Sequence, residues 1–294
     1  MVLNGTSGVG YLCRTRGLTA TYLQAATIIM ADGTTKRVSK EENHELLWAI
    51  RGAGANFGIA IEMEFSLTQI LPKVFAGDLV KFGKGTWPRN FLWCLDSKKT
   101  GEELVAKLFS FFSQKNVPEE CASLLVIAPK GPVVSRISYI PTEKDSLLPE
   151  KEIHERGKEA FKPLIDFGYT LSNGTKMSDY WDGLQKMGVL APSYYYQKGM
   201  NLGSIPEDEL PSIINELCSY AEVCPVTNMG SGIIFMPLSG ELERTESGST
   251  AIADGFHPAK WCLILITGAQ RTTISEVNAS NGSVTCTMSS NLTH

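Results

Sequence analysis

The sequence predicts an α+β fold in two parts, a small mixed unit followed by an antiparallel sheet with covering helices. Two patterns predict it. The first seventy or so residues read as hairpin, helix, glycine loop and strand, and the region beyond them alternates short strands with single amphipathic helices. A chain of 294 residues with 43% hydrophobic content can bury two cores of this kind.

The hairpin is read from two β-prone runs, Thr27–Met30 and Thr34–Val38, flanking Asp32-Gly33, a dipeptide that accepts positive φ in a tight turn. Ser39 followed by Glu42 reads as a capping box, and Leu46, Leu47 and Ile50 supply the apolar stripe of the helix it would start. Gly52 is the expected stop. Gly52, Gly54 and Gly58 crowd the loop that follows, around Asn56 and Phe57, and the alternation from Ile59 to Phe65 reads as a strand. A dinucleotide-binding turn runs from strand through glycine loop to helix. This loop follows a helix and opens a strand, which argues against a nicotinamide-type βαβ site.

Texture changes at Leu71-Pro72, and the boundary is placed there, giving parts 1–71 and 72–271. Strands are expected at Val74–Phe82, Ala122–Ala128, Val133–Ile140, Tyr194–Met200, Gly232–Met236 and Trp261–Thr267. Helices are expected at Glu102–Gln114, Ser178–Gly188 and Glu207–Ala221. The segment 272–294 is rich in Ser, Thr and Asn and is expected to be a disordered tail.

Composition narrows the function classes. A net charge of −4 with no basic stripe argues against nucleic acid, and no apolar run approaches the roughly 18 residues that span a bilayer. The first residues lack the apolar stretch of a signal peptide. Seven cysteines show no paired C-x-x-C arrangement, which argues against zinc. Five Asn-x-Ser/Thr triplets, at Asn4, Asn173, Asn278, Asn281 and Asn291, would accept N-linked sugar in a secreted chain. Neither a G-x-S-x-G elbow nor a phosphate-cradling G-x-x-x-x-G-K-[ST] loop is present. His44, His154, His257 and His294 have no metal-ligand spacing. Only His257, before Pro258 on the approach to a strand, stands out. Trp48, Trp181 and Trp261 are expected in cores.

The succession Gly8-Val9-Gly10, Arg14 to Leu18, Ala31-Asp32-Gly33, Leu47-Trp48-Ala49-Ile50-Arg51-Gly52 and Asn56-Phe57-Gly58 resembles the FAD-binding domain of the vanillyl-alcohol oxidase and p-cresol methylhydroxylase (PCMH-type) flavoproteins. It is most similar to their berberine-bridge and hydroxynicotine oxidase branch. The resemblance covers Gly8 to about Leu71 strongly and continues more weakly to about Thr267. It implies the C-terminal part of a PCMH-type FAD-binding domain followed by an antiparallel substrate domain laid over the flavin. The family's pyrophosphate loop and flavin-linking histidine would lie before Met1, so the chain reads as incomplete at both ends and its FAD as non-covalent.

By the same resemblance, Gly52, Gly54, Asn56, Phe57, Gly58, Ile59 and Ile61 would run along the ADP half of FAD. Gly8, Gly10, Gly17 and Leu18 would lie near the flavin and ribityl chain, with Thr21 standing where the family usually has Asp. Tyr194, Tyr196 and Lys198 share one face of a strand, and Tyr196 is a candidate for binding a substrate oxygen or nitrogen, core packing being the alternative. No base is assigned, because Leu263-Ile264-Leu265-Ile266 is apolar where related plant oxidases place Glu or Gln. The activity implied is an FAD-dependent oxidase acting on a small alcohol, sugar or amine with dioxygen. A non-catalytic remnant or binding module is the rival reading.

Overall fold

The computed structural model describes residues 8–69, 71–82, 101–114, 116–127, 133–145, 147–185, 194–206, 208–209, 212–213, 216, 232–245, 248–252 and 260–269. Two sheets organise them. The smaller has the order β2-β1-β3, from β1 (Leu23–Ile29), β2 (Thr35–Val38) and β3 (Ile59–Phe65), all antiparallel. Helix α2 (His44–Ala53) lies on it, and Leu47 and Ile50 pack onto Leu23, Ala26, Ile28 and Val38.

The local chemistry differs from the sequence reading in two places. Ser39 Oγ accepts from the backbone N–H groups of Glu41 and Glu42 at 3.1 Å each, so it caps a turn, and α2 starts only at His44 after Asn43 in the left-handed region. Nor does Gly52 stop the helix. The helix runs through it to Ala53, and a 3₁₀ turn, Gly54–Asn56, follows. In the hairpin only Gly33 takes positive φ, while Asp32 Oδ1 accepts from Thr34 N at 2.9 Å and Thr34 Oγ1 at 2.6 Å.

The larger sheet has the order β7-β4-β6-β5-β10-β11-β9, with β8 also on β4 and every pairing antiparallel. Its strands are β4 (Lys73–Phe82), β5 (Cys121–Ile127), β6 (Val133–Tyr139), β7 (Tyr169–Asn173), β8 (Lys176–Asp179), β9 (Tyr194–Leu202), β10 (Gly232–Pro237) and β11 (Trp261–Ala269). Helices α3 (Gly101–Ser113) and α4 (Glu150–Ile165) cover one face. Strand alternation sends Phe75, Leu79, Leu125, Ile137, Phe235 and Leu263 into that core. There Phe109 of α3 stacks edge-on to Phe235 with centroids 4.8 Å apart and lies 4.1 Å from the Trp261 ring.

Helix α4 and the strands β7 and β8 are additions to the sequence reading. The apolar stripe of α4 passes through Gly157, which hides it from a hydropathy count: a Cβ there would lie 2.6 Å from the Phe75 ring, so only glycine lets helix and sheet meet. The expected helix at Ser178–Gly188 starts instead at Tyr180, as α5 (Tyr180–Gln185), because Ser178 belongs to β8. The helix expected at 207–221 and the tail from 272 fall largely or wholly outside the described residues.

Lys81 reaches from β4 into the covered face and closes the end of α4. Its ammonium donates to Ile165 O at 3.1 Å, Phe167 O at 2.8 Å and Thr170 Oγ1 at 2.6 Å. A cation at a helix C-terminus complements the exposed carbonyls. Desolvation nonetheless pushes its pKa down from 10.5 to about 8, with Asp166 pulling the other way.

Two outcomes follow. Gly157→Val should lower stability by about 2 kcal/mol through overpacking against Phe75, read as a lower urea midpoint at unchanged slope. Between about pH 8 and 10 the unfolded chain holds more protons at Lys81 than the folded chain, so this residue makes stability rise with pH. Lys81→Met should remove that increment when the two proteins are compared across the same buffers; an identical pH slope in both would contradict the assignment.

Candidate functional site

The site is built where the two sheets meet, and α2 is fixed there first. Arg51 Nε donates to Leu23 O at 2.9 Å, tying the helix end to β1. Trp48 Nε1 donates to Gly248 O at 2.7 Å, and Ala251 N donates to Trp48 O at 3.2 Å, which joins the helix to the segment before β11. Gly52 is required at this joint, since a Cβ would lie 2.6 Å from Ala251 C and Ile252 N. Trp48 is therefore a bracket and not a core residue, 46% exposed, and Trp181 is 66% exposed; of the three tryptophans only Trp261 is buried as expected.

Beyond that joint the loop opens outward. Gly54 is buried, Phe57 is half-buried against the small core, and Asn56 is exposed. Gly58 has φ +148°, and a Cβ there would lie 2.3 Å from Ile29 O, so the backbone crosses the end of β1 at a distance only glycine permits. Ile59 and Ile61 then stand 70% and 59% exposed, an apolar strip on the edge strand β3. Uncovered branched aliphatics of this kind mark a surface suited to an apolar ring or a packing partner.

The glycine segment at residues 8–18 docks on the larger sheet. Its helical turn, α1 (Cys13–Arg16), ends at Gly17 with φ 73°, and Gly8 is held by Thr19 Oγ1 donating to its carbonyl at 3.2 Å. Gly10 differs from its neighbours: among the described residues nothing lies within 4 Å of where its Cβ would stand, so that side is open, while its N–H donates to Cys13 Sγ and its carbonyl accepts from Cys13 N, both at 3.0 Å. Cys13 and Leu18 pack with Leu238 and Leu242, which commits the Leu18 side chain to the core. Arg14 is buried, donates to Ser239 Oγ and to Pro118 O at 3.3 Å, and lies 5.5 Å from the Phe112 ring.

The sheet face opposite α3 and α4 carries a polar group that sequence reasoning missed. Arg136 of β6 donates through Nε to Asp78 Oδ1 of β4 at 2.6 Å and through a second nitrogen to Oδ2. Tyr11, next to Gly10, lies beside this pair and Tyr180; burial pushes its hydroxyl pKa up, outweighing the pull of Arg136. Tyr180 is likewise pushed up to about 12 by burial. The result is a half-exposed carboxylate paired with a buried guanidinium, next to two phenols that burial holds protonated. Alternation along β4 hinted at Asp78, but nothing in the sequence marks its partner across the sheet.

Of the remaining candidates, Tyr196 has its backbone opposite Thr267 on β11, and its side chain is outside the described residues, as is His257. Lys198 and Met200, from the same alternating row, pair with Leu265 and Leu263, which belong to the helix-covered side.

Comparison with known proteins places this architecture. No protein-family model matches the chain. An FAD-linked oxidoreductase of Dictyostelium discoideum is 31% identical over 173 residues, 59% of this chain and 32% of that protein. The (R)-6-hydroxynicotine oxidase of Paenarthrobacter nicotinovorans is 42% identical over 77 residues, 26% of this chain and 16% of its own length. Among solved structures, the xylooligosaccharide oxidase of Myceliophthora thermophila superposes with a TM-score of 0.65 at 20% identity, over 90% of this chain and 53% of that one. The homologues are FAD-linked oxidoreductases, and the mixed helix and antiparallel-sheet fold is that of PCMH-type and berberine-bridge-like oxidases, as the motifs implied. The chain spans about a third of the first relative and about half of the solved neighbour. These relatives do not favour a non-catalytic remnant.

The glycines separate by experiment. Gly58→Val should destabilise the fold by about 2 kcal/mol or more, from the strained φ and the clash with Ile29 O. Gly10→Val should leave the melting temperature within about 2 °C of the parent and weaken flavin binding in a fluorescence titration, because its side faces open space. Unchanged flavin affinity in Gly10→Val would remove that residue from the site.

Proposed function

We propose that this chain forms part of an FAD-dependent oxidoreductase that oxidises a small alcohol, sugar or amine, with dioxygen as the final acceptor. The observation that carries the proposal is the pairing of two open surfaces, the uncovered side of Gly10 and the exposed Asn56–Ile61 strip, on segments that the core anchors immediately to either side. These surfaces suit FAD: exposed Ile59 and Ile61 offer apolar area, and no side chain of the described residues fills the space beside Gly10. Gly8 and Gly10 would lie at the flavin and ribityl end, and Asn56, Phe57, Gly58, Ile59 and Ile61 at the ADP end, with buried Gly17 and Gly54 shaping the backbone beneath them. Gly52 and Leu18 support the same surfaces through packing.

Bound flavin supplies the hydride acceptor. The protein contributes position and protons. The half-exposed carboxylate of Asp78, held in place by Arg136, offers acceptor oxygens to a substrate hydroxyl or amine, and the Tyr11 hydroxyl, which burial keeps protonated, stands beside it. Of the sequence candidates for taking the substrate's O–H or N–H proton, His257 is retained, and Tyr196 is not, because its row on β9 pairs with Leu265 and Leu263 of the helix-covered side, opposite the face of Asp78. We place the division of the chain at 71/72, with 1–71 as the cofactor part and 72–271 as the substrate part.

The test is direct. Titration with FAD should give saturable quenching of flavin fluorescence, and acid precipitation should release the flavin into the supernatant. Loaded protein mixed with chitooligosaccharide, glucooligosaccharide or 6-hydroxynicotine should bleach near 450 nm (about the usual flavin maximum) with at least one of them and recover in air. Absence of saturable FAD binding by the folded chain would contradict the proposal.

A further inference from the structure

One acceptor triplet for N-linked sugar lies within the described residues, and the fold displays it. The strand at one border of the large sheet is interrupted there: β7 ends at Asn173 opposite Leu79, β8 begins at Lys176 opposite Ala76, and Gly174 and Thr175 bulge between them. Backbone contacts pin the bulge. Gly174 N donates to Asp78 O at 3.0 Å, and a Cβ on Gly77 would lie 2.3 Å from Gly174 O. The shape of the triplet therefore does not depend on the Asn173 amide nitrogen.

That amide is set toward solvent. Asn173 is exposed, and its Oδ1 accepts from Thr175 N at 3.0 Å and Thr175 Oγ1 at 2.6 Å, while its Nδ2 donates no hydrogen bond among the described residues. On the same strand Leu171 and Tyr169 are also exposed, and β7 has no partner beyond β4 among the described residues. An uncovered apolar border strand is a template for unwanted pairing, which proteins blunt with bulky or charged groups.

We propose that Asn173 is a site of N-linked glycosylation, and that the oligosaccharide covers this strand. In the transfer, Nδ2 bonds to C1 of the first sugar of a lipid-pyrophosphate-linked oligosaccharide as the C1–O bond to pyrophosphate breaks. The lipid pyrophosphate leaves with the electron pair, and the transferase takes the amide proton. Sugar is added to the nascent chain; the folded structure then accommodates it because Asn173 is exposed and its Nδ2 has no hydrogen bond to give up among the described residues.

The experiment isolates the full chain from the cells that make it and treats it with peptide-N-glycosidase in heavy-oxygen water. The expected result is a heavy-labelled acid at position 173, lost in Thr175→Ala and kept in Thr175→Ser, with both variants melting like the parent. An unmodified asparagine at 173 overturns the proposal. So does an acid there without heavy oxygen, which would report spontaneous deamidation at Asn173-Gly174.

Discussion

Arg14 is the constraint on which the rest of the site depends. Its guanidinium is buried, and no carboxylate hydrogen-bonds it among the described residues; it is held by Ser239 Oγ, Pro118 O and the Phe112 ring. Burial lowers its pKa, with Cys121, Glu119, Glu243 and Glu120 pulling the other way. A buried charge on neutral partners is tolerable only when every partner is fixed. Here they are fixed by the core: Phe112 lies in the α3 layer, Pro118 leads into β5, and Ser239 follows β10. Close packing adds a second lock, since a Cβ on Gly240 would lie 2.3 Å from Arg14 O.

From that anchor the geometry of the site follows in short steps. With Arg14 fixed, Cys13 and Leu18 are pressed into Leu238 and Leu242, and Tyr11 and Leu12 rest on Val74, Ala76, Ala122 and Ile140. Gly10 is then left open beside Tyr11, and Tyr11 beside the Arg136–Asp78 pair. The second open surface is set independently, by the joint of Trp48 and Gly52 with residues 248–252. Two loops distant in sequence are thus positioned by one later stretch of chain, and the proposed site draws on the small sheet and the large one together.

How much of this was legible in the sequence depends on the kind of signal. Linked motifs pointed to the fold and to FAD-linked oxidoreductases as homologues, because glycine spacing and turn residues are local and each reflects one backbone requirement. The strand β3 was legible through alternation, and β4 to β6 and β9 to β11 as short β-prone runs. Helix α4 was not, because Gly157 and Pro163 interrupt its apolar stripe, and glycine there answers to the Phe75 ring across the core. Ser39 looked like a helix cap because sequence does not distinguish a cap from a turn residue placed four positions before the N-cap Asn43. The Arg136–Asp78 pair joins residues 58 apart in sequence through strand register, which single-chain periodicity does not report. Trp48 and Trp181 were assigned to cores on size alone, whereas the indole of Trp48 is used for its N–H.

Hydrogen–deuterium exchange with and without FAD tests the central claim, that the cofactor lies across the two open backbone surfaces. The account predicts slower exchange on adding FAD at residues 8–18 and 54–61, with little change in α3 and α4. Protection confined to the helix-covered side, or none at either glycine segment despite saturable binding, would contradict it.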